Sequence, residues 1–223
     1  MQTVYYIHMR IHLAGVLLTL LALLPPNDLN AQQTAPVHAS AVESHEGVSI
    51  SVESWTRASN YKQKFPKKSP FNGGVVALHV TFRNNSDESV KIDLQHIRLV
   101  LILGEENRQE LIPLTADDVA DTVLLPKSKD PTSKRIPLPL PIGGSRPSRD
   151  KNWTEFRDDC QNAALPSPVV AAHTSMDGLL YFDMRSEWDL LQTAKLYIPN
   201  LESMTSHTPL SYFEIELGHP SSN

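Results

Sequence analysis

The sequence predicts a mainly β domain whose antiparallel strands pack as a sandwich or barrel. Three observations carry that expectation. Val48, Ile50 and Val52 alternate with Ser49, Ser51 and Glu53, and Val76, Leu78, Val80 and Phe82 alternate with Ala77, His79 and Thr81. A rhythm of two residues marks strands with one buried face. Turn clusters such as Asn84-Asn85-Ser86-Asp87 and Gly104-Glu105-Glu106-Asn107 separate such runs, as antiparallel connections require. The chain also holds 17 prolines against 9 glycines. Proline has no backbone N–H and interrupts helices and central strands, so the elements should be short and joined by stiff loops.

Taken in order, Arg10 precedes a charge-free, largely apolar stretch from Leu13 to Leu24, which Pro25 and Pro26 end, and the small Ala31 stands before Gln32. That is the layout of a signal peptide over residues 1–31. A helix of about 12 residues rises about 18 Å against a hydrocarbon core of about 30 Å, so cleavage is favoured over an anchor and no membrane span is expected afterwards. The compact run MRIHLAGVLL makes Met9 an alternative start. Export then places the protein in the periplasm or outside the cell. Residues 32–46 are small and polar without periodicity and read as a flexible leader. The domain proper is expected over 47–218, with 219–223 as a tail. Cys160 is the single cysteine, so no internal disulfide is available and a packed core must supply the stability.

Within the domain, GVSISVESW and VVALHVTFRN read as strands joined by the loop NYKQKFPKKSPFNGG. SVKIDL, HIRLVLIL and RQELIPL follow as further strands. Thr115 and Asp118 have the spacing of a capping box, which predicts a helix from that point to near Leu124. Residues 126–149 hold six prolines, including PLPLP at 137–141, and read as polyproline II and loop. Residues 151–164 read as a helix, because Trp153, Phe156, Cys160 and Ala163 share one face while Arg157, Asp158 and Gln161 take the other. Together 126–166 form a Pro-rich and helical insertion. MDGLLYFDM, LLQTAKLYIPN and LSYFEIEL return to strands.

Three segments carry a family likeness. They are Val75 through Asp87, a hydrophobic strand running into an Asn/Ser/Asp turn; Ile92 through Leu103, which pairs back after it; and Gly178-Leu179-Leu180-Tyr181-Phe182, a late strand with glycine ahead of an aromatic. In these the chain resembles a broad group of small exported bacterial immunoglobulin-like domains of unknown function, of the secreted immunogenic antigen type. The resemblance implies an immunoglobulin-like antiparallel β-sandwich with the insertion added to it, and it implies no activity. Two departures stand out. Ala171-Ala172-His173 lies where the group often has a glycine, and 126–166 lies outside the common pattern.

No zinc-ligand spacing, P-loop, GxGxxG or calcium-loop pattern is present, so neither metal nor cofactor is expected. Gly143-Gly144-Ser145 lacks the flanking glycines of a nucleophile elbow. Cys160 sits mid-helix after Asp158 and Asp159 on a face shared with Trp153 and Phe156, the setting of a buried, inert thiol. His79 and His96 alternate with apolar strand residues and are expected on a solvent-side face. Asn84 and Asn152 open glycosylation-type tripeptides, a pattern frequent by chance.

Charge placement is more informative than the formal net charge of −5. Segment 57–68 holds Arg57, Lys62, Lys64, Lys67 and Lys68 and no acid, and segment 127–151 is basic through Lys134, Arg135 and Arg146 among others. Should the two meet, Lys62, Lys64, Lys67, Lys68, Lys134, Arg135 and Arg146 would form an anion-binding patch for an envelope polymer or an acidic partner; otherwise they are solvated loops. Nucleic acid is a poor ligand for a negative, exported protein. The leading expectation is therefore a non-catalytic binding or accessory module of the cell envelope. An envelope-acting hydrolase using His173 and Asp177, and an assembly protein offering an edge strand, are the alternatives.

Overall fold

The computed structural model describes residues 41–104, 107–125 and 149–218. The signal segment 1–31, most of the leader, the Pro-rich stretch 126–148 with Lys134, Arg135 and Arg146, and the tail 219–223 lie outside the described residues.

The described residues form a mainly β structure with three four-stranded sheets. The first has the order β1 (Ala41–His45), β2 (Val48–Trp55), β3 (Val75–Asn84) and β8 (Ser175–Asp183). The second runs β11 (Pro209–Leu210), β10 (Leu201–Ser203), β4 (Val90–Ile92), β7 (Val169–Val170). The third runs β12 (Phe213–Glu216), β9 (Lys195–Ile198), β5 (Arg98–Ile102), β6 (Arg108–Leu111). Every strand pairing is antiparallel. Three helices are α1 (Ala58–Tyr61), α2 (Ala116–Leu124) and α3 (Lys151–Ala163). Among the described residues no helix is long and apolar enough to cross a membrane.

The two-residue rhythm of β3 does what alternation dictates. Val76, Leu78, Val80 and Phe82 point into a buried cluster that also takes Ile50 and Val52 from the first sheet, Ile92 and Leu201 from the second, and Leu99, Leu196 and Phe213 from the third. All three sheets thus close over one apolar interior. The opposite face of β3 is not left to water at its start. Val75 and Ala77 join Trp55, Tyr61, Phe65, Val119, Trp153, Phe156, Cys160 and Tyr181 in a second buried cluster under α2 and α3. His79, expected on a solvent-side face, lies at the rim of this cluster, stacked 5.8 Å from Trp55 and bonded to Asp177 at 2.9 Å; His96 is exposed as expected.

The two longer helices follow the local code. Thr115 accepts from the Asp118 N–H while the Asp118 carboxylate takes the Thr115 N–H, and α2 ends at Leu124. Asp150 caps α3 by accepting from the Trp153 N–H, and Trp153, Phe156, Cys160 and Ala163 are its buried residues. Packing explains the glycine at 178, inside β8. Its backbone is ordinary, but an added Cβ would stand 2.6 Å from the Leu165 backbone, where the chain leaving α3 bridges Ala164 to Leu179.

Some elements differ from expectation. Ala41–His45, placed in the flexible leader, forms β1 and pairs with β2 from Ala41↔Val52 to His45↔Val48. Glu46 and Gly47 both have positive φ, 51° and 80°, as a two-residue hairpin turn demands. The strand was hidden because its inward residues are not aliphatic throughout: Glu43 caps a neighbouring strand and His45 stacks 3.8 Å from Phe213. The segment LLQTAKLYIPN is strand only from Lys195; Trp188–Thr193 is a 3-10 turn with Leu191 buried. Asn84 is not a surface acceptor. It is buried, its amide donating to the carbonyls of Glu88, Val170 and Ala171 and its carbonyl accepting from Ser86. It ties the β3–β4 turn to the end of β7.

Candidate functional site: a lysine loop against helix α3

The loop between β2 and β3 is held by aromatic rings and turns its lysines outward. Tyr61 and Phe65 are buried, whereas Lys62, Lys64, Lys67 and Lys68 are exposed. The Tyr61 hydroxyl donates to the Trp55 carbonyl at 2.8 Å and accepts from the Ala77 N–H at 2.9 Å. Trp55 and Ala77 are the last paired residues of the β2–β3 ladder, so the hydroxyl satisfies both backbone groups where the strands part. Burial drives the Tyr61 phenol well above its ordinary range. Phe65 packs 6.2 Å from Phe156 of α3, and Phe71 stacks 4.7 Å from Trp188. Anchored at these points, the loop lies along the first turns of α3.

There Lys67 and Lys151 share one carboxylate, while Lys134, Arg135 and Arg146 lie outside the described residues. Lys67 Nζ is 2.8 Å from Glu155 and Lys151 Nζ is 3.6 Å from the same carboxylate. The hydrogen bond and charge of Lys67 hold the Glu155 carboxyl below its usual value, and the same bond, donated by Lys67, raises Lys67. Lys67, Lys68, Asn152, Glu155, Phe156 and Asp159 line a small cleft of about 40 Å³. Of the predicted patch, then, Lys67 is engaged by an acid, whereas among the described residues Lys62, Lys64 and Lys68 have no ion pair. Arg149, next to the cap residue of α3, lies 4.4 Å over the Trp153 ring and pairs with Asp121 at 3.1 Å and Asp117 at 3.6 Å. Trp153 Nε1 donates to Asp121 as well. Arg149 is thereby held between α2 and the Trp153 ring.

His173 and Asp177 are not brought together as a catalytic pair. His173 bonds to Asp87 at 2.9 Å, and Asp177 bonds to His79 at 2.9 Å. His173 has φ 55°, a left-handed conformation in which glycine is easiest and histidine is tolerated; it occupies the segment where the resemblance leads one to expect a glycine. Cys160 is buried and its thiol is pushed up to about 12, first by burial and then by Asp159, which makes it a poor nucleophile at neutral pH.

Two surface hollows carried no sequence signal. One, about 560 Å³, is lined by Lys91, Asp93, Gln95, Asn200 and Glu202 around Leu94 and Pro168. Its walls come from the β4–β5 turn, the approach to β7 and the β9–β10 turn. The other, about 330 Å³, lies on the outer face of the third sheet among Val100, Ile102, Arg108, Glu110, Lys195, Tyr197 and Glu214. Each is assembled from segments far apart in sequence, so no spacing could announce it.

No protein family matches the chain, and no curated protein matches it. Among solved structures it is similar to a functionally unknown protein from Listeria monocytogenes EGD-e. The identity is 17%, covering 73% of this chain and 71% of that one, with a TM-score of 0.32. A likeness at that level carries no argument about activity or fold.

Proposed function

We propose that the protein is an exported, non-catalytic binding or accessory module of the cell envelope, and that its lysine loop engages an anionic polymer. The observation that carries this is the outward display of Lys62, Lys64 and Lys68 on a loop pinned by Tyr61 and Phe65 against helix α3. Rigid scaffolds commonly present recognition on such loops. Export is supported by the charged and apolar start of the sequence. An immunoglobulin-like sandwich is the arrangement this reading takes for the sheets; it is supported by the single apolar cluster to which all of them contribute.

Binding of dextran sulfate, with neutral dextran as control, tests the proposal. The chain should bind the sulfated polymer, lose affinity with added salt as screening grows, and weaken by about tenfold or more, ~1.4 kcal/mol, in a Lys62→Glu/Lys64→Glu/Lys68→Glu variant. Equal binding of both polymers, or an unchanged affinity in the variant, would defeat it.

A further inference from the structure

We infer that the protein associates with a second copy of itself through β6, pairing edge to edge across a two-fold axis at Gln109. The inference is independent of the lysine loop.

An open strand edge offers unpaired N–H and C=O groups to another chain, and proteins close such edges unless they use them. Among the described residues the other edges are closed or short. The Glu43 carboxylate takes the N–H of Glu214 on β12, and Glu46 takes that of Ser211. β11 contains Pro209, and β7 is two residues long. The outer side of β8 is met by bridges from Leu114 and Ala164. β6 ends the third sheet with no further strand beyond it among the described residues, and Arg108, Gln109 and Glu110 are exposed.

The hydrogen-bond phase of that edge follows from its pairing with β5. The Leu103 N–H donates to Asn107 at 2.9 Å, and the register runs Ile102↔Arg108, Leu101↔Gln109, Val100↔Glu110. In an antiparallel ladder only alternate residues bond to a given neighbour. Asn107 and Gln109 therefore bond to β5, while the backbone groups of Arg108 and Glu110 point away from the sheet. A second β6 laid antiparallel with Gln109 opposite Gln109 places Arg108 of each copy opposite Glu110 of the other. Both of those residues have outward backbone groups, so the pair satisfies its ladder bonds. Both side chains also lie on the same face, beside Val100 and Ile102.

Charge selects this register. Centring the axis on Arg108 or on Glu110 would set like charges against each other, which destabilises a pair; centring it on Gln109 gives two opposite-charge pairs. Isologous contacts of this kind require a self-complementary patch, and the Arg-Gln-Glu order supplies one. The strand is only four residues long, so the dimer should be weak, with a dissociation constant on the order of 10–100 µM.

Sedimentation of the full exported chain over a range of concentrations tests this, with Arg108→Glu, Glu110→Arg, the double exchange, and an equimolar mixture of the two single variants. The native chain should dimerise. Each single variant should weaken self-association at least about tenfold, and both the double exchange and the mixture should restore it, because opposite charges again face each other. A native chain that stays monomeric to about 1 mM, or single variants that dimerise like the native chain, would overturn the inference. Dextran sulfate binding by the β6 variants should be unchanged, which separates this result from the lysine-loop proposal.

Discussion

The two faces of β3 are buried by different means. On the inner face Val76, Leu78, Val80 and Phe82 meet aliphatic and aromatic residues from all three sheets, and the packing is a matter of apolar area. On the outer face Val75 and Ala77 lie under a cluster dominated by Trp55, Tyr61, Phe65, Trp153, Phe156 and Tyr181. Three of these rings carry a polar atom with a fixed partner: Tyr61 bridges Trp55 and Ala77, Tyr181 donates to the Cys160 carbonyl at 3.0 Å, and Trp153 donates to Asp121 at 2.8 Å. The inner core is held by the amount of surface removed from water, the outer by a few directional bonds. The outer core also does a different job, since it locks α2, α3 and the lysine loop to the first sheet.

That contrast can be broken at several points. The largest effect is expected from Phe82→Ala, which opens a cavity at a fully buried site and should cost about 3–5 kcal/mol. Urea unfolding followed by far-UV circular dichroism and by tryptophan fluorescence should shift together. Separate shifts would mean that the clusters unfold independently.

Tyr61→Phe keeps the ring but strands the Ala77 N–H and the Trp55 carbonyl, and should cost about 1–3 kcal/mol. The buried Cys160 thiol reports on the outer cluster, so thiol labelling in native buffer should accelerate more in Tyr61→Phe than in an inner-cluster variant of equal stability. Equal acceleration would erase the distinction between area and directional bonds.

Gly178→Ala drives a Cβ into the Leu165 backbone and should cost about 1–3 kcal/mol as overpacking. A neutral result would show that the α3–β8 contact gives way easily.

The smallest effect concerns Lys67 and Glu155. The Glu155 carboxyl is lowered in the folded chain and Lys67 is raised. The contribution of Glu155 is thus present above the ordinary carboxylate value of about 4.3 and lost as pH falls through its folded value; that of Lys67 is present below about 10.4 and lost as pH rises through its folded value. The difference in thermal midpoint between the native chain and Glu155→Gln should be small, greatest near neutral pH, and vanish at both extremes and in high salt. A difference persisting at pH 3 would point to packing rather than charge.

Much of the inner core was legible because its alternation is local. Strands β2, β3 and β12, the Thr115–Asp118 box and the apolar face of α3 all stand where their residue spacing puts them. The outer core was half legible. Leu179-Leu180-Tyr181-Phe182 is a continuous apolar run, which signals a strand covered on both faces, yet nothing local says that helices are the cover. Asn84 looks like a turn residue by type and is a buried tie by position. At the candidate site, the basic composition of 57–68 was readable. The capture of Lys67 by Glu155, 88 residues away in sequence, was not.

The sequence by itself determined the longer alternating strands, the Thr115 cap, the inert cysteine and the cationic loop, because each depends on neighbours within a turn or a pleat. Tertiary structure alone decided which face of β3 received the helices, which carboxylate each lysine and histidine met, and which sheet edge stayed open. Those outcomes depend on chain closure, where segments far apart in sequence compete for the same buried surface and the same hydrogen bonds.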